Sequence, residues 1–238
     1  MFKKLVIRED INKYMSELKE WLEETDNTKL ESMVDFFKAR IDDYENHMAQ
    51  WESAYKYMAK IIPDNTERIL DIGCGTGLEI DSILAMNPKI EIIGIDLSKH
   101  MLEKLQQKHT RVKTICIDYF KFDYNSENFD VVISFETLHH FKPHKKQALF
   151  EKIYKALPDG GTYIEADYIA CCDEEEGLLM RLCDKKRKEE NIPDNEFVHF
   201  DTPLTAEHEM KLLSNAGFKN VEILNCINGV CFITAKKQ

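Results

Sequence analysis

The sequence is short of several things that would mark a specialised chain. It has nine glycines, six prolines and two tryptophans in 238 residues, with no internal repeat and no low-complexity tract, which excludes fibrous and disordered classes. No apolar run approaches bilayer length, and Met1 to Glu9 alternates charged and apolar residues instead of building a signal-type core. A cytoplasmic location, with no membrane partner, is the expectation. Basic charge is in deficit: 32 Lys and Arg stand against 43 Asp and Glu, a net charge of −11. That leaves no footprint for a phosphate backbone and disfavours nucleic acid as a partner. The seven cysteines (Cys74, Cys116, Cys171, Cys172, Cys183, Cys226, Cys231) include no C-x-x-C pair. Neither a disulfide framework nor a zinc knuckle is indicated, and reduced thiols are expected.

What is present is an ordinary globular balance of 43% hydrophobic and 32% charged residues, and its apolar periodicity changes near residue 63. Ile7, Ile11, Tyr14, Leu18 and Trp21 recur at helical spacing. So do Leu30, Met33, Val34 and Phe37, and then Tyr44, Met48, Trp51, Tyr55 and Met58. Residues 1–62 therefore read as a cap of two or three amphipathic helices, ended by Pro63, Asp64 and Asn65. Beyond them, apolar strands at 68–72, 90–95, 112–117, 129–135 and 161–166 alternate with helices. This predicts an α/β fold over 63–238 with a Rossmann-like, doubly wound, mainly parallel sheet. Ser98 is placed to cap one helix and Pro143 to open another, while Gly217 suits a helix end. A charged helical segment, Glu174 to Glu190, falls in a lid insertion at about 171–205, and its acidic and mixed runs read as a solvated face. Asn228-Gly229, between 221–227 and 230–235, is a hairpin signal that closes a seven-stranded sheet with an antiparallel pair.

The most informative stretch is Arg68 to Gly77, R-I-L-D-I-G-C-G-T-G. A strand that runs into Gly73, Gly75 and Gly77 before a helix lets backbone pass close to a ligand at the carboxyl end of the sheet. The third glycine follows the second by two residues, so the dinucleotide fingerprint is not met. A carboxylate at Asp71 would repel a pyrophosphate and attract an ammonium group, so the ligand should be cationic at one end and free of phosphates. Asp96, 19 residues after Gly77, can accept from both hydroxyls of a ribose. Asp118, followed by Tyr119 and Phe120, can accept from an exocyclic amine beside an aromatic wall. Together these describe adenosine with an amino-acid tail.

With these residues in hand, the chain resembles the class I S-adenosylmethionine-dependent methyltransferases, in the small-molecule branch that carries a helical amino-terminal extension. The likeness is carried by I-L-D-I-G-C-G-T-G at 69–77, G-I-D-L-S-K-H-M at 94–101, Ile117 to Tyr119, F-D-V-V-I-S-F-E-T-L-H-H-F at 129–141, L-P-D-G-G at 157–161 and Ala216 to Phe218. The resemblance implies that Asp71, Gly73, Cys74 and Gly75 hold the methionine part of S-adenosylmethionine, and Asp96 with Leu97 the ribose. It gives Met101 an adenine face, and Asp118 with Tyr119 the adenine amine and ring. Phe135 and Glu136 would line the methionine side, with Arg40 or Tyr44 over the carboxylate. The implied activity is methyl transfer to a small-molecule acceptor by in-line displacement, with a homodimer kept open.

His139 and His140 follow the fourth strand on the ligand side, where an imidazole could take a proton from the acceptor, with His139 the first candidate. Metal is not expected, because Pro143 interrupts the helix that a His140 and His144 pair would need. Asp167 and Tyr168 are placed to touch an acceptor, and Cys171 and Cys172 read as packing residues. Trp21, Tyr44, Trp51, Tyr55, Phe197 and Phe200 offer aromatic surface for an acceptor pocket. The competing readings are an NAD(P)-dependent oxidoreductase, disfavoured by the glycine spacing, and a non-catalytic S-adenosylmethionine-binding regulator.

Overall fold

In a computed structural model of the chain, residues 7–125 and 128–238 are described; part of the amino-terminal stretch read above for a signal core, residues 1–6, lies outside them. The centre is a seven-stranded sheet: β2 (Arg68–Ile72), β3 (Glu91–Asp96), β4 (Lys113–Cys116), β5 (Val131–Phe135), β6 (Thr162–Tyr168), β8 (Lys219–Ile227) and β9 (Val230–Lys236). Their spatial order is β4-β3-β2-β5-β6-β9-β8, and only β9 runs antiparallel to its neighbours. Asn228 and Gly229 take positive φ of 52° and 88° between the last two strands, the left-handed pair that a tight hairpin needs. The expected alternation, strand positions and closing hairpin are all present.

Side-chain alternation along each strand divides the core between two helical layers. Leu70 and Ile72 pack toward α7 (Pro143–Ala156) and α9 (Ala206–Ala216), against Phe150, Ile153, Leu213 and Phe218. Ile69, Val131 and Ile133 pack the other way, against α4 (Glu52–Ile61), α5 (Leu78–Met86) and α6 (Lys99–Lys108) through Met58, Ile80, Ile83 and Leu105. Each such fully buried aliphatic side chain stabilises the fold by roughly 1.5–3 kcal/mol. Local signals set the helix ends: the Ser98 hydroxyl accepts from Met101 N, Pro143 opens α7, and Gly217 ends α9 at φ 115°.

The segment before Pro63 differs from the sequence reading in two ways. Among its described residues it holds four α-helices, α1 (Ile11–Glu24), α2 (Met33–Arg40), α3 (Tyr44–Met48) and α4, plus a two-residue strand β1 (Glu31–Ser32) that pairs with β7 (Val198–His199). Within α1 the buried face is Met15 and Leu22, whereas Ile11 and Trp21 are exposed, Trp21 by 56%. The helix is rotated by about one position from the apolar stripe because Tyr14 donates to the buried Glu175 Oε1 at 2.6 Å.

Glu175 lies in the lid helix α8 (Asp173–Glu189) and also accepts from Tyr168 OH and from Cys171 N. Lys186 of the same helix donates to Asp26 O at 2.5 Å and Thr28 O at 2.9 Å. The expectation that the lid charges are all solvated is therefore corrected at these two positions, which tie the lid to the amino-terminal helices. The cysteine expectation is corrected at one pair. Cys226 and Cys231 form a disulfide across the hairpin. They are direct register partners with Cα atoms 4.0 Å apart, a pairing made by the turn between them. No helix among the described residues is long and apolar enough to cross a membrane.

Candidate active site

The glycine loop leaves β2 at the carboxyl edge of the sheet. Gly73 has φ +70°, and a Cβ there would stand 2.3 Å from Thr137 Oγ1, so glycine is required for both conformation and space. Gly75 follows at φ +50° and donates its N–H to Asp96 Oδ2 at 3.0 Å, while Ser98 N donates to Oδ1 at 2.7 Å. Burial raises the Asp96 carboxyl, and these backbone donors oppose the rise. Asp96 is thus locked at the end of β3 with its free lone pairs toward a cavity.

That cavity brings together most of the residues expected at a cofactor. Gly73, Gly75, Asp96, Leu97 and Met101 line one side; Asp118, Tyr119, Phe135, Glu136 and Tyr44 line the rest. Asp118 also caps its own turn, accepting from Phe120 N at 2.9 Å. Met33, Val34 and Phe37 of α2 close the mouth, with Ser98, Thr137, Phe141 and the lid residue Phe197 completing the wall. None of these seven was singled out for the cofactor from sequence. The free space is about 70 Å³, against roughly 300–1,000 Å³ for sites that hold organic ligands.

Three expected residues lie elsewhere. Asp71 shares strand parity with Ile69, points toward α5, and is fully buried beneath the loop, outside the cavity wall. Among the described residues its carboxyl oxygens meet no hydrogen-bond donor except the neighbouring Glu79 carboxyl. Burial first, and the nearby Glu79 second, hold its carboxyl well above the usual range. Burial likewise pushes Glu79 up to about 7. Cys74 turns into the core, where its sulfur occupies the space above Gly94. Arg40 is held by Glu31 at 2.9 Å over the Phe36 ring, and it lines a second cavity only.

The second cavity, of about 670 Å³, shares Phe37, Tyr44, Glu136 and His140 with the first. Its walls come from Arg8, Phe36 and Trp51, from His139 and Tyr168 at the strand ends, from His199 and Asp201 of the lid, and from the hairpin residues Asn228 to Val230. Of the remaining expected aromatics, Trp21 is on the surface, and Tyr55 packs against Phe135 with ring centroids 4.6 Å apart.

At the junction lies a histidine and carboxylate cluster. His139 Nδ1 is bonded to Asp167 Oδ1, and Asp167 also accepts from Leu138 N and Tyr168 N at 2.9 Å each. His139 Nε2 lies 3.5 Å from Asp201 Oδ1, and His140 Nδ1 lies 3.2 Å from the same oxygen. Thr202 donates N–H and Oγ1–H to His139 O, fastening the Asp201 loop to the histidine turn. Burial opposes charge on His139, but Asp167, with Asp201 and Glu136, outweighs it and raises His139 to about 10. Burial and the neighbouring His139 lower His140. His199 stacks on Phe36 at 3.4 Å, and its burial lowers it to about 3. Asp201 and His199 were not singled out from sequence, because some sixty residues separate them from His139 and His140.

A methyltransferase domain model matches residues 69–161. The carboxy-S-adenosyl-L-methionine synthase of a Nitratiruptor species is 30% identical over 186 residues, 72% of this chain and 77% of that protein. Phosphoethanolamine N-methyltransferase 3 of Arabidopsis thaliana is 36% identical over 106 residues, 43% of this chain and 21% of that one. Among solved structures, human N-acetylserotonin methyltransferase in complex with S-adenosylmethionine superposes with a TM-score of 0.59 at 18% identity, over 86% of this chain and 55% of that one. DesVI of Streptomyces venezuelae gives 0.62 at 15% identity, over 83% and 98%. The chain spans about three fifths of the length of several such structural neighbours. An oxidoreductase or a non-catalytic binder finds no support among these relatives. The fold, the glycine loop with Asp96, and a relative that matches across most of both chains lead to one family: the chain belongs to the class I S-adenosylmethionine-dependent methyltransferases.

Proposed function

We propose that the chain transfers a methyl group from S-adenosylmethionine, held in the smaller cavity, to a small organic acceptor held in the larger one. The observation that carries this reading is the shared wall: Phe37, Tyr44, Glu136 and His140 face both spaces, so one reactant can meet the other there. S-adenosylmethionine, when bound, supplies a sulfonium-activated methyl group. Every other requirement falls on the protein. Asp96 and Leu97 hold the ribose, Met101 and Tyr119 cover the adenine, and Asp118 accepts from its amine. The loop backbone at Gly73 and Gly75 runs beside the methionine part. Asp71 and Glu79 lie buried beneath the loop with their carboxyls raised by burial, and a cationic group bound above them would favour their ionised forms.

The larger cavity is bounded by the aromatic faces of Phe36, Phe37, Trp51 and Tyr168 and by the cations Arg8 and Arg40. This combination suits a planar acceptor that carries an acidic group, with its nucleophilic oxygen or nitrogen turned toward Glu136 and the histidines. The net charge of −11 argues against a nucleic acid as the acceptor. Alignment at the shared wall is the main catalytic contribution, since positioning of reactants can lower a barrier by about 7–11 kcal/mol.

The test is calorimetry with S-adenosylhomocysteine together with methyl release against a panel of phenols, amines and carboxylates. Asp96→Ala should weaken S-adenosylhomocysteine by about 1–3 kcal/mol; unchanged affinity would overturn the cofactor assignment. A second reading is favoured by the relatives named carboxy-S-adenosyl-L-methionine synthases: S-adenosylmethionine is itself the substrate and leaves as a carboxylated product. The mass of the nucleoside product separates the two.

A further inference from the structure

We propose that His139, His140 and Asp201 form a binding site for one divalent first-row transition-metal ion in the wall of the larger cavity. The proposal rests on reading that cavity as the acceptor site, and adds to it what activates the acceptor.

Spacing is the first support. Asp201 Oδ1 lies 3.5 Å from His139 Nε2 and 3.2 Å from His140 Nδ1, and one donor atom from each residue lies within 4.8 Å of the others. Metal bonds to imidazole nitrogen and carboxylate oxygen of about 2.0–2.2 Å place neighbouring donors roughly 3.0–3.5 Å apart in tetrahedral or octahedral arrangements. Both measured edges fall at those values, so small shifts suffice to close the set on an ion.

The surroundings of His139 are the second support. Its Nδ1 is held by the buried Asp167 carboxylate, whose oxygens are further committed to Leu138 N and Tyr168 N. A carboxylate behind one imidazole nitrogen fixes the ring so that the other nitrogen points at a metal. The double hydrogen bond from Thr202 to His139 O then sets Asp201 opposite that nitrogen. Glu136 is the third support: its Oε1 is buried without a hydrogen-bond partner, and it clusters with the same histidine and Asp167. Three carboxylates gathered around two imidazoles supply the negative charge that a divalent cation meets when it replaces the proton on His139.

Two imidazoles and one carboxylate suit Zn²⁺, Fe²⁺, Co²⁺ or Mn²⁺ better than the hard ions Ca²⁺ and Mg²⁺, which take oxygen donors. Three protein ligands leave coordination positions facing the cavity. An acceptor hydroxyl bound there would lose its proton to cavity water more readily and be presented as an oxyanion at the shared wall. In the loaded protein the ion, and not a free imidazole, performs that task. In a different group, Asp173, Glu176 and His208, the first and last are solvent-exposed and Glu176 already accepts from Thr205 N at 2.7 Å; it serves as the control.

The test is calorimetry of the chelator-stripped full chain with Zn²⁺ and, separately, Mg²⁺, followed by visible absorption of the Co²⁺-loaded protein. We expect one Zn²⁺ per chain, Mg²⁺ at least 100-fold weaker, and Co²⁺ bands of a nitrogen and oxygen site. Asp201→Asn and His139→Gln should each weaken Zn²⁺ at least 10-fold. Asp167→Asn, which removes only the support behind His139, should weaken it about 10- to 100-fold. His208→Ala should leave it unchanged. Absence of stoichiometric Zn²⁺ binding by the native chain, or equal binding by Asp201→Asn, overturns the proposal. The thermal melting transition of the same samples reports folding, and their titration with S-adenosylhomocysteine separates the outcomes: its binding without Zn²⁺ refutes the metal alone, and its failure to bind a folded sample refutes the cofactor reading.

Discussion

The two cavities are built in opposite ways. The smaller takes most of its wall from the carboxyl ends of β2, β3, β4 and β5 and the turns that follow them, within residues 73–141. Its positions are fixed by strand register and by backbone hydrogen bonds such as Gly75 N to Asp96. The larger collects residues from α2, α3, the histidine turn, the end of β6, the loop after β7 and the hairpin, and holds them by contacts between segments up to 178 residues apart. The wall of the smaller cavity is therefore set mostly within one stretch of chain, whereas that of the larger depends on how the helices, the segment after β7 and the hairpin are tied together.

The sharpest way to break this contrast is Gly73→Val. Left-handed φ and a Cβ 2.3 Å from Thr137 Oγ1 should disrupt the loop, costing about 1–3 kcal/mol in backbone strain alone before the clash is counted. Loss of S-adenosylhomocysteine binding by calorimetry is the expected outcome; retained affinity would show that the loop is not rigid.

Glu175→Gln attacks the other cavity. It removes the carboxylate that ties Tyr14, Tyr168 and Cys171 N together, at a cost of about 1–3 kcal/mol for weakening a buried charged hydrogen-bond network. Faster amide exchange in α1 and α8, with a higher KM for the acceptor and unchanged S-adenosylhomocysteine affinity, would support separate construction of the two sites. A loss of cofactor affinity of equal size would refute it.

A smaller effect is expected from Glu79→Gln. Because burial raises Glu79 to about 7 in the folded chain, from an unfolded value near 4.3, native stability from this group is full below about pH 4 and is lost as pH rises through 7. The glutamine variant should match the native protein in melting temperature near pH 4 and exceed it at pH 8. Equal melting curves at both values would contradict the buried-acid account. Smallest of all, Trp21→Ala should change stability by less than about 0.5 kcal/mol, as is usual for surface substitutions. A larger loss in denaturant titration would restore Trp21 to the packed face that its spacing predicts.

How much of this was legible follows from the same contrast. The strand at 68–72, the Ser98 cap, the Pro143 start, the Gly217 end and the Asn228-Gly229 hairpin are short-range signals, and the structure places them where the pattern does. Asp96, Asp118 and Glu136 are legible as cavity residues because each closes a strand. Asp71 misleads because the strand parity that buries Ile69 also turns Asp71 inward, and only the position of α5 reveals that it meets Glu79. Trp21 misleads because a helical stripe gives a face but not which rotation wins once Tyr14 finds Glu175. Cys226 and Cys231 lack the spacing of a metal or redox pair and meet only through hairpin register. Asp201 and His199 carry no local pattern at all; they reach His139 and His140 because Thr202 bonds to the histidine turn and β7 pairs with β1.

That last pairing bears on how the two chambers are joined. Glu31 and Ser32 lead directly into α2, which walls the smaller cavity, while their ladder partners Val198 and His199 lead into Asp201. A two-residue ribbon thus gives the helix over one chamber and the carboxylate of the other a single mechanical support.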